Sequence, residues 1–202
     1  MHNIPVVLVI EDDLSLVIAK HIINNTENKY YVYKSLPDIR RKSGRGSGYI
    51  HKKIGAFNRA AEHQSYIILT DLDDRECAPT FYKELLPDSI HENLLLQIAV
   101  REVETWLLAD RQNFASFLGT SKNKIESVPE NIDDPKQYIF NLARRSNKRI
   151  VREGLLPPDA TSRLGPLYNP LLMKFVDQKW DLLKARNNSQ SLDRFIKRIT
   201  EQ

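Results

Sequence analysis

Apolar and polar positions alternate in blocks along the first half of the chain. Residues 5–10 form a continuous apolar run rich in β-branched side chains, which is typical of a strand buried on both faces of a parallel sheet. Residues 14–23 instead place apolar side chains at helical spacing, and Asp13 is positioned to cap that helix. Further strands are predicted at residues 30–33, 66–70 and 94–100, and further helices at residues 50–62 and 79–86. This alternation predicts a doubly wound α/β layer.

The second half of the chain shows helical periodicity. A helix is predicted at residues 103–109, with Asp110 capping a continuation that Gly119 ends. Pro135 is suited to the first position of another helix, which we expect to run to about residue 145. The remaining helices are predicted at residues 171–185 and 192–199. We therefore expect an α/β core at residues 1–110 and a helical C-terminal region at residues 111–202 packed on it.

Composition sets the broad class. Hydrophobic residues make up 41% of the 202 positions and charged residues 28%, which allows a sizeable core under a well-solvated surface. The longest apolar run is too short to cross a bilayer, and no signal-peptide pattern opens the chain. The single cysteine, Cys77, has no partner for an internal disulfide. These features predict a cytoplasmic protein without a membrane segment.

Charge is distributed unevenly between the two halves. Residues 1–110 carry 13 basic and 16 acidic side chains, whereas residues 111–202 carry 17 basic and 10 acidic ones. This asymmetry favours a metal or catalytic acid cluster beside a surface that binds a polyanion. The alternative is an ordinary surface with some asymmetry.

Acidic residues follow two of the predicted strands. Glu11 comes after the first strand, and Asp71 and Asp73 come after the third. Ligands of open α/β sheets bind beyond these strand ends, and residues two apart in an extended segment point the same way. Converging carboxylates need a cation between them, and their hard oxygens suit Mg²⁺ or Mn²⁺, which promotes hydrolysis at phosphorus. The alternative is that these acids only cap the helices that follow.

Two further acids, Glu102 and Glu104, open the helix after the fourth strand. One of them is a candidate to reach the metal crevice, although acids are also favoured in a first helical turn by the helix dipole. On a helix the two side chains are separated by about 200°, so we expect only one to face the crevice. Glu104 is slightly preferred.

Two basic segments are candidates for contact with nucleic acid. Residues 34–53 carry seven basic side chains against one acid, and three glycines there leave the backbone free to approach a phosphate chain. The candidates for contact with phosphates in this segment are Arg41, Lys42, Arg45, Lys52 and Lys53. A second stretch at residues 136–152 adds Arg144, Arg145 and Lys148. The alternatives are a solvated loop and an ordinary basic helix end.

Several segments together resemble one family. They are residues 9–12 (VIED), 44–48 (GRGSG), 69–73 (LTDLD), 101–110 (REVETWLLAD), 165–168 (GPLY) and 191–194 (SLDR). The chain resembles the Toprim domain, and more closely the bacterial Toprim-like family catalogued as domain of unknown function 4276, which is related to the overcoming-lysogenization-defect nucleases. The resemblance covers nearly the full length, and residues 101–110 are its most specific part.

The resemblance implies a Toprim-like, Rossmann-like sheet, parallel-rich and flanked by helices, with a helical C-terminal region. It implies a Mg²⁺ or Mn²⁺ site held by Glu11, Asp71 and Asp73, with Glu104 or Glu102 completing it. The implied activity is a metal-dependent phosphodiesterase, a nuclease acting on DNA or RNA, as the effector of a bacterial phage-defence or mobile-element system. The expected partners are nucleic acid, an ATPase encoded nearby and a second copy of the chain.

Two departures leave other functions open. Asp12 stands where many relatives have glycine, and Ser15 stands where nucleases often have an acid. These differences favour a non-catalytic binding or effector subunit on the same scaffold. Residues 7–13 (VLVIEDD) also resemble the opening of a response-regulator receiver domain, in which Asp71 would be the phosphoacceptor. The basic, helical second half is foreign to a receiver.

Overall fold

The computed structural model describes residues 4–36, 47–86 and 89–201, and within them the chain folds around one parallel sheet. The strands are β1 (Ile4–Val9), β2 (Tyr30–Leu36), β3 (Ser65–Asp71) and β4 (Leu94–Ala99). Their order is β2-β1-β3-β4, and every neighbouring pair is parallel. The predicted α/β class with a Rossmann-like parallel sheet is therefore confirmed.

Helices connect the strands and then continue to the end of the chain. Those of the first half are α1 (Asp13–Asn24), α2 (Ser47–Ala60) and α3 (Ala78–Leu85). Those of the second half are α4 (Val103–Ala109), α5 (Arg111–Leu118), α6 (Pro135–Arg144), α7 (Arg149–Leu155), α8 (Tyr168–Gln178), α9 (Leu182–Arg186) and α10 (Gln190–Thr200). Short 3-10 turns lie at Lys122–Lys124 and Pro129–Asn131. In the described part of the chain, no helix is long and apolar enough to cross a membrane.

The sheet is covered on both faces, which explains its continuous apolar strands. Val6 and Leu8 of β1 belong to a large apolar cluster with α1 and the C-terminal helices. Val7 and Val9 point to the other face and pack with apolar residues of α2 and α3. The alternation follows from the pleat, which sends successive side chains to opposite faces.

Helix α4 joins the C-terminal helices to the sheet, and α10 also contacts β4 directly through the hydrogen bond from Gln97 to the Ser191 carbonyl. Trp106 is fully buried in the large apolar cluster, and its indole N–H donates to the hydroxyl of Ser191 at 2.7 Å. The indole N–H of Trp180 donates to the carbonyl of Trp106 at 3.2 Å. Buried indole groups need such partners, so α4 is fixed between the sheet and the C-terminal helices.

Two local predictions were wrong, and one helix was missed. Asp12 rather than Asp13 caps α1, because Asp12 has extended backbone angles and its carboxylate accepts the N–H of Ser15 at 2.8 Å. The helix expected at residues 171–185 is divided into α8 and α9, since Asp181 caps a new helix through the N–H of Lys184. The short helix α7 was not predicted, because its buried stripe is only Val151, Gly154 and Leu155. The loop expected at residues 40–48 lies mostly outside the described residues.

Candidate metal and active site

Four acidic side chains meet at the carboxyl edge of the sheet. Glu11 lies two residues after β1, Asp71 is the last residue of β3, and Glu102 and Glu104 open α4 after β4. Because the strands are parallel, these ends lie at one edge, where open α/β sheets bind ligands. Glu11, Asp71 and Glu104 are only 9%, 6% and 2% exposed. The sequence-based expectation of acids at this edge is met by these residues.

Hydrogen bonds join the first two carboxylates to their neighbours. Glu11 accepts the hydroxyl proton of Thr70 and, at 3.3 Å, the backbone N–H of Asp71. Asp71 accepts, at 3.0 Å, the backbone N–H of Val103, which is the first residue of α4. These contacts connect the ends of β1 and β3 to the start of α4, so the acids hold the edge together as well as facing one another.

The α4 carboxylates share one cation. The ammonium of Lys136, from the first turn of α6, pairs with Glu102 and lies 3.5 Å from Oε1 of Glu104. The hydroxyl of Tyr168 donates to the same Oε1 at 3.2 Å. Oε2 of Glu102 and Oε2 of Glu104 are buried and have no hydrogen-bond partner among the described residues. Both glutamates therefore retain acceptor capacity at the site.

The expectation that only one of Glu102 and Glu104 faces the site was wrong, since Lys136 contacts both. The helical angle of about 200° applies only to residues inside a helix. Glu102 is the N-cap of α4, with φ −141° and ψ 161°, so its side chain leaves the chain in another direction.

Asp73 also differs from expectation. The extended segment ends at Asp71, and Asp73 has a left-handed φ of 52°. Its side chain is 41% exposed and lies 3.5 Å from the guanidinium of Arg75. The charge of Asp73 nevertheless contributes to raising the pKa of Glu11 and of Glu102. The residue thus belongs to the rim of the site and not to its buried centre.

Burial and mutual repulsion disfavour the charged forms of these acids. Burial is the main cause that raises the pKa of Glu11 to about 7. Burial and then the charges of Glu104 and Glu11 raise the pKa of Asp71 well above its ordinary value. Burial also raises the pKa of Glu104 to about 7, although Lys136 acts in the opposite direction. Burial by itself would lower the pKa of Lys136. The negative charges of Glu104 and Glu102 outweigh this effect, so the pKa of Lys136 is raised.

These shifts predict that the metal-free protein loses stability as the pH rises. Glu11 holds its proton more tightly in the folded protein, with a pKa of about 7 against an ordinary 4.5. The stabilisation from this proton is complete below pH 4.5 and is lost as the pH rises through 7. Melting temperatures in EDTA from about pH 5 to about pH 8 should fall less steeply for Glu11→Gln than for the native chain. Parallel curves would show that Glu11 titrates normally.

An open cleft of about 510 Å³ lies beside the cluster. Its acidic lining is Asp73, Asp74, Glu102, Asp133 and Asp134. Lys136 and Arg163 provide positive charge in the same lining. A polyanion entering this cleft meets repulsion from the acids unless cations accompany it.

The residues predicted to contact nucleic acid lie in different parts of the chain. Arg41, Lys42 and Arg45 lie outside the described residues. Lys52 and Lys53 are exposed on α2, next to His51, whose Nε2 lies 3.3 Å from the guanidinium of Arg75. Arg75 pairs with Asp73, so the start of α2 lies close to the rim of the site.

The second basic stretch lies on the C-terminal helices. Arg144 and Arg145 are exposed at the end of α6. Lys148 donates to the carbonyls of Ser116 and Phe117 at 2.6 and 3.0 Å, and so caps the C-terminal end of α5. Two of its three N–H groups are used in that way.

Sequence reasoning did not assign Lys136, Tyr168 or Arg163 to the site. Lys136 lies 34 residues from Glu102, and Tyr168 lies 64 residues from Glu104. No local spacing connects residues so far apart in the chain. The one available signal was Pro135, which correctly placed Lys136 in the first turn of a helix.

The donor set suits a divalent cation in charge and atom type, because the buried carboxylate oxygens of Glu102 and Glu104 without partners are hard ligands. Within the described ranges, however, no group of three or more His, Cys, Asp or Glu side chains stands in an arrangement that could hold a metal ion.

The chain matches no family model, no curated protein and no solved structure.

Proposed function

We propose that this protein is a Mg²⁺- or Mn²⁺-dependent nuclease of the Toprim-like type. The observation that carries the proposal is the meeting of four acids at the carboxyl edge of a parallel sheet, two of which have buried oxygens without partners. Acids whose pKa values are raised together by burial are typical of sites that act on a charged ligand. The resemblance of residues 9–12, 69–73 and 101–110 to Toprim nucleases supports the same function.

In this proposal, Glu11 and Asp71 hold the cation, Glu102 and Glu104 contribute their unpartnered oxygens, and Asp73 adds negative charge from the rim. When bound, the ion supplies a Lewis acid for the phosphoryl group and an activated water. Lys136 keeps its proton at all relevant pH values, because the neighbouring carboxylates raise its pKa. Its ammonium and the guanidinium of Arg163 line the cleft, and in this proposal they contact the phosphodiester.

The acidic lining of the cleft also supports metal dependence. Five acids surround two basic side chains there, so a phosphodiester would be repelled in the absence of cations. A divalent ion offsets most of the excess negative charge in this lining. We therefore expect the metal to be required for substrate binding at this cleft as well as for the chemical step.

Cleavage assays test the proposal. Single- and double-stranded DNA and RNA are incubated with the native chain in Mg²⁺, in Mn²⁺ and in EDTA. Cleavage is expected only with the metals and is expected to fall roughly a hundred-fold or more in Glu11→Gln. The control is Glu76→Gln, which removes an exposed acid from the loop after β3 and should leave the rate unchanged. Cleavage that persists in EDTA or in Glu11→Gln contradicts the proposal.

A second candidate function is a non-catalytic subunit on the same scaffold. It is favoured by Lys136, which already compensates the charge of two of the acids. It is also favoured by Asp12 and Ser15, the two departures from the nuclease pattern, which are joined in the α1 cap by the hydrogen bond from the Ser15 N–H to the Asp12 carboxylate. Absence of both cleavage and calorimetric Mn²⁺ binding in a folded protein would select this candidate.

The receiver-like alternative has less support. A phosphoacceptor aspartate must be reachable by its phosphodonor, whereas Asp71 is 6% exposed and engaged by Val103. In the described ranges, helices and not a fifth strand follow β4. Incubation with acetyl phosphate is expected to leave Asp71 unlabelled.

A further inference from the structure

A second cavity, of about 600 Å³, lies between the end of α5 and one face of α6. We call it the α5–α6 pocket. Its lining includes Thr120, Lys124, Tyr138, Asn141, Arg144 and Arg145. A volume of this size lies in the range typical of small-molecule sites and accommodates a nucleotide.

The lining carries three basic side chains, Lys124, Arg144 and Arg145, and no acid. None of the three forms an ion pair within the described part of the chain. Glu126, which is close in sequence, directs its carboxylate to the N–H groups of Ser127 and Val128. The mutual repulsion of the three cations therefore has no compensating charge in the pocket, and an anion would supply one.

Polar groups with free hydrogen-bonding capacity accompany this charge. The hydroxyl of Thr120 is buried and has no partner among the described residues. Its position follows from Gly119, whose left-handed φ of 70° ends α5 and turns the chain. Asn141 accepts one N–H of Arg144 at 2.8 Å, which orients the guanidinium and leaves its other donors available.

The α5–α6 pocket is separate from the acid cluster. The lining of this pocket shares no residue with the lining of the acidic cleft. Lys136, which faces the acids, and Asn141, which lines the pocket, both lie inside α6 and are five residues apart, so their side chains are separated by about 140° around the helix axis. The residues that line the α5–α6 pocket therefore take no part in the acid cluster.

We propose that the α5–α6 pocket binds a phosphate ester. The guanidinium groups of Arg144 and Arg145 contact phosphate oxygens, the ammonium of Lys124 adds charge, and the Thr120 hydroxyl donates a hydrogen bond. The phosphate comes from the backbone of a nucleic acid or from a free nucleotide, since both present the same group. Where the source is nucleic acid, the assignment rests on the proposed nuclease function and identifies a second contact for the substrate.

Binding measured in EDTA tests the pocket, because no metal then contributes at the acid cluster. The probes are a fluorescein-labelled single-stranded DNA, followed by anisotropy, and AMP and inorganic phosphate, followed by calorimetry. The double variant Arg144→Gln, Arg145→Gln alters two exposed side chains and should remain folded. Its affinity for the DNA is expected to fall roughly ten-fold or more, and the slope of log affinity against log salt concentration by about 1.4, since each contact with a single-strand phosphate contributes about 0.7.

Two further variants separate charge from geometry. Lys20→Gln, Lys83→Gln removes the same number of exposed positive charges from α1 and α3 and should change affinity less than about two-fold. Thr120→Val keeps the side-chain shape, removes the hydroxyl, and is expected to weaken binding roughly five-fold.

The outcomes distinguish nucleic acid from a free nucleotide as the source of the phosphate, and the α5–α6 pocket from the acid cluster as the binding site. Loss of DNA binding in the arginine variant but not in the lysine control supports the pocket as a nucleic-acid contact. Binding of AMP or phosphate without binding of DNA supports the pocket with a free nucleotide as its ligand. Equal binding of every probe by the native chain and the arginine variant overturns the proposal. Glu11→Gln should bind DNA normally in EDTA, so a failure of cleavage alone leaves the pocket standing.

Discussion

Asp71→Asn is expected to abolish metal-dependent cleavage and, at the same time, to raise the stability of the metal-free protein. Asparagine retains the oxygen that accepts the N–H of Val103 and has nearly the same shape. It removes a buried charge whose pKa is raised by burial and then by the charges of Glu104 and Glu11. Near pH 8 the free energy of unfolding should increase by about 1–3 kcal/mol, because an incompletely compensated ion is taken out of the interior.

The loss of activity should be much larger than this gain in stability. Removing a central ligand typically lowers the rate roughly a thousand-fold or more. Mg²⁺ is expected to raise the melting temperature of the native chain, since it binds the folded state, and to have little effect on Asp71→Asn. The matched control is Glu92→Gln, an exposed acid just before β4, which should alter neither quantity. This assignment of Asp71 is contradicted if Asp71→Asn is less stable than the native chain when both are free of metal, and if the variant still cleaves nucleic acid when metal is added.

Lys136→Met is expected to have the largest destabilising effect. Methionine keeps most of the aliphatic stem but leaves Glu102 and Glu104 without the cation that now contacts both. Removing one partner of a buried pair commonly costs 3–5 kcal/mol. The Lys136 side chain is 32% exposed, so we expect a cost at or just below the lower limit of that range, about 2–3 kcal/mol near pH 8.

The effect of Lys136→Met should depend on pH. Without the ammonium, the pKa of Glu104 rises further above its present value of about 7, and both glutamates bind protons more readily. The loss of stability should therefore shrink as the pH falls toward about 5. Urea denaturation at both pH values measures this dependence. Lys184→Met is the control, because its pair with Asp181 is exposed and should contribute no measurable stability at either pH. Equal losses in the two variants would show that the buried pair has no special role.

Much of the fold was predictable because its signals are local. Continuous apolar runs such as residues 5–10 indicate strands covered on both faces, and β1 and β3 are covered in that way. Asp110, Gly119 and Pro135 are cap or first-turn residues and marked helix boundaries correctly. Glu11 and Asp71 were predicted for the same reason, because the end of a buried parallel strand fixes where the next residues lie.

Other features depended on choices that local spacing does not specify. Asp12 and Asp13 are equally suited to cap α1, and only the backbone angles at Asp12 decided between them. Glu102 lies outside the helix that was used to orient it, and Asp73 turns into a left-handed conformation after β3 ends. In each case one residue at a boundary adopted a backbone conformation that periodic patterns do not encode.

The sequence by itself determined most of the elements, the parallel sheet and the edge at which acids gather, because these follow from side-chain periodicity over neighbouring residues. Only the tertiary structure decided the charge balance at that edge. Lys136 and Tyr168 reach Glu104 from α6 and α8, far along the chain, and the raised pKa values of Glu11, Asp71 and Glu104 come first from burial. Burial and electrostatic interaction depend on distances in space, which no pattern of neighbouring residues contains.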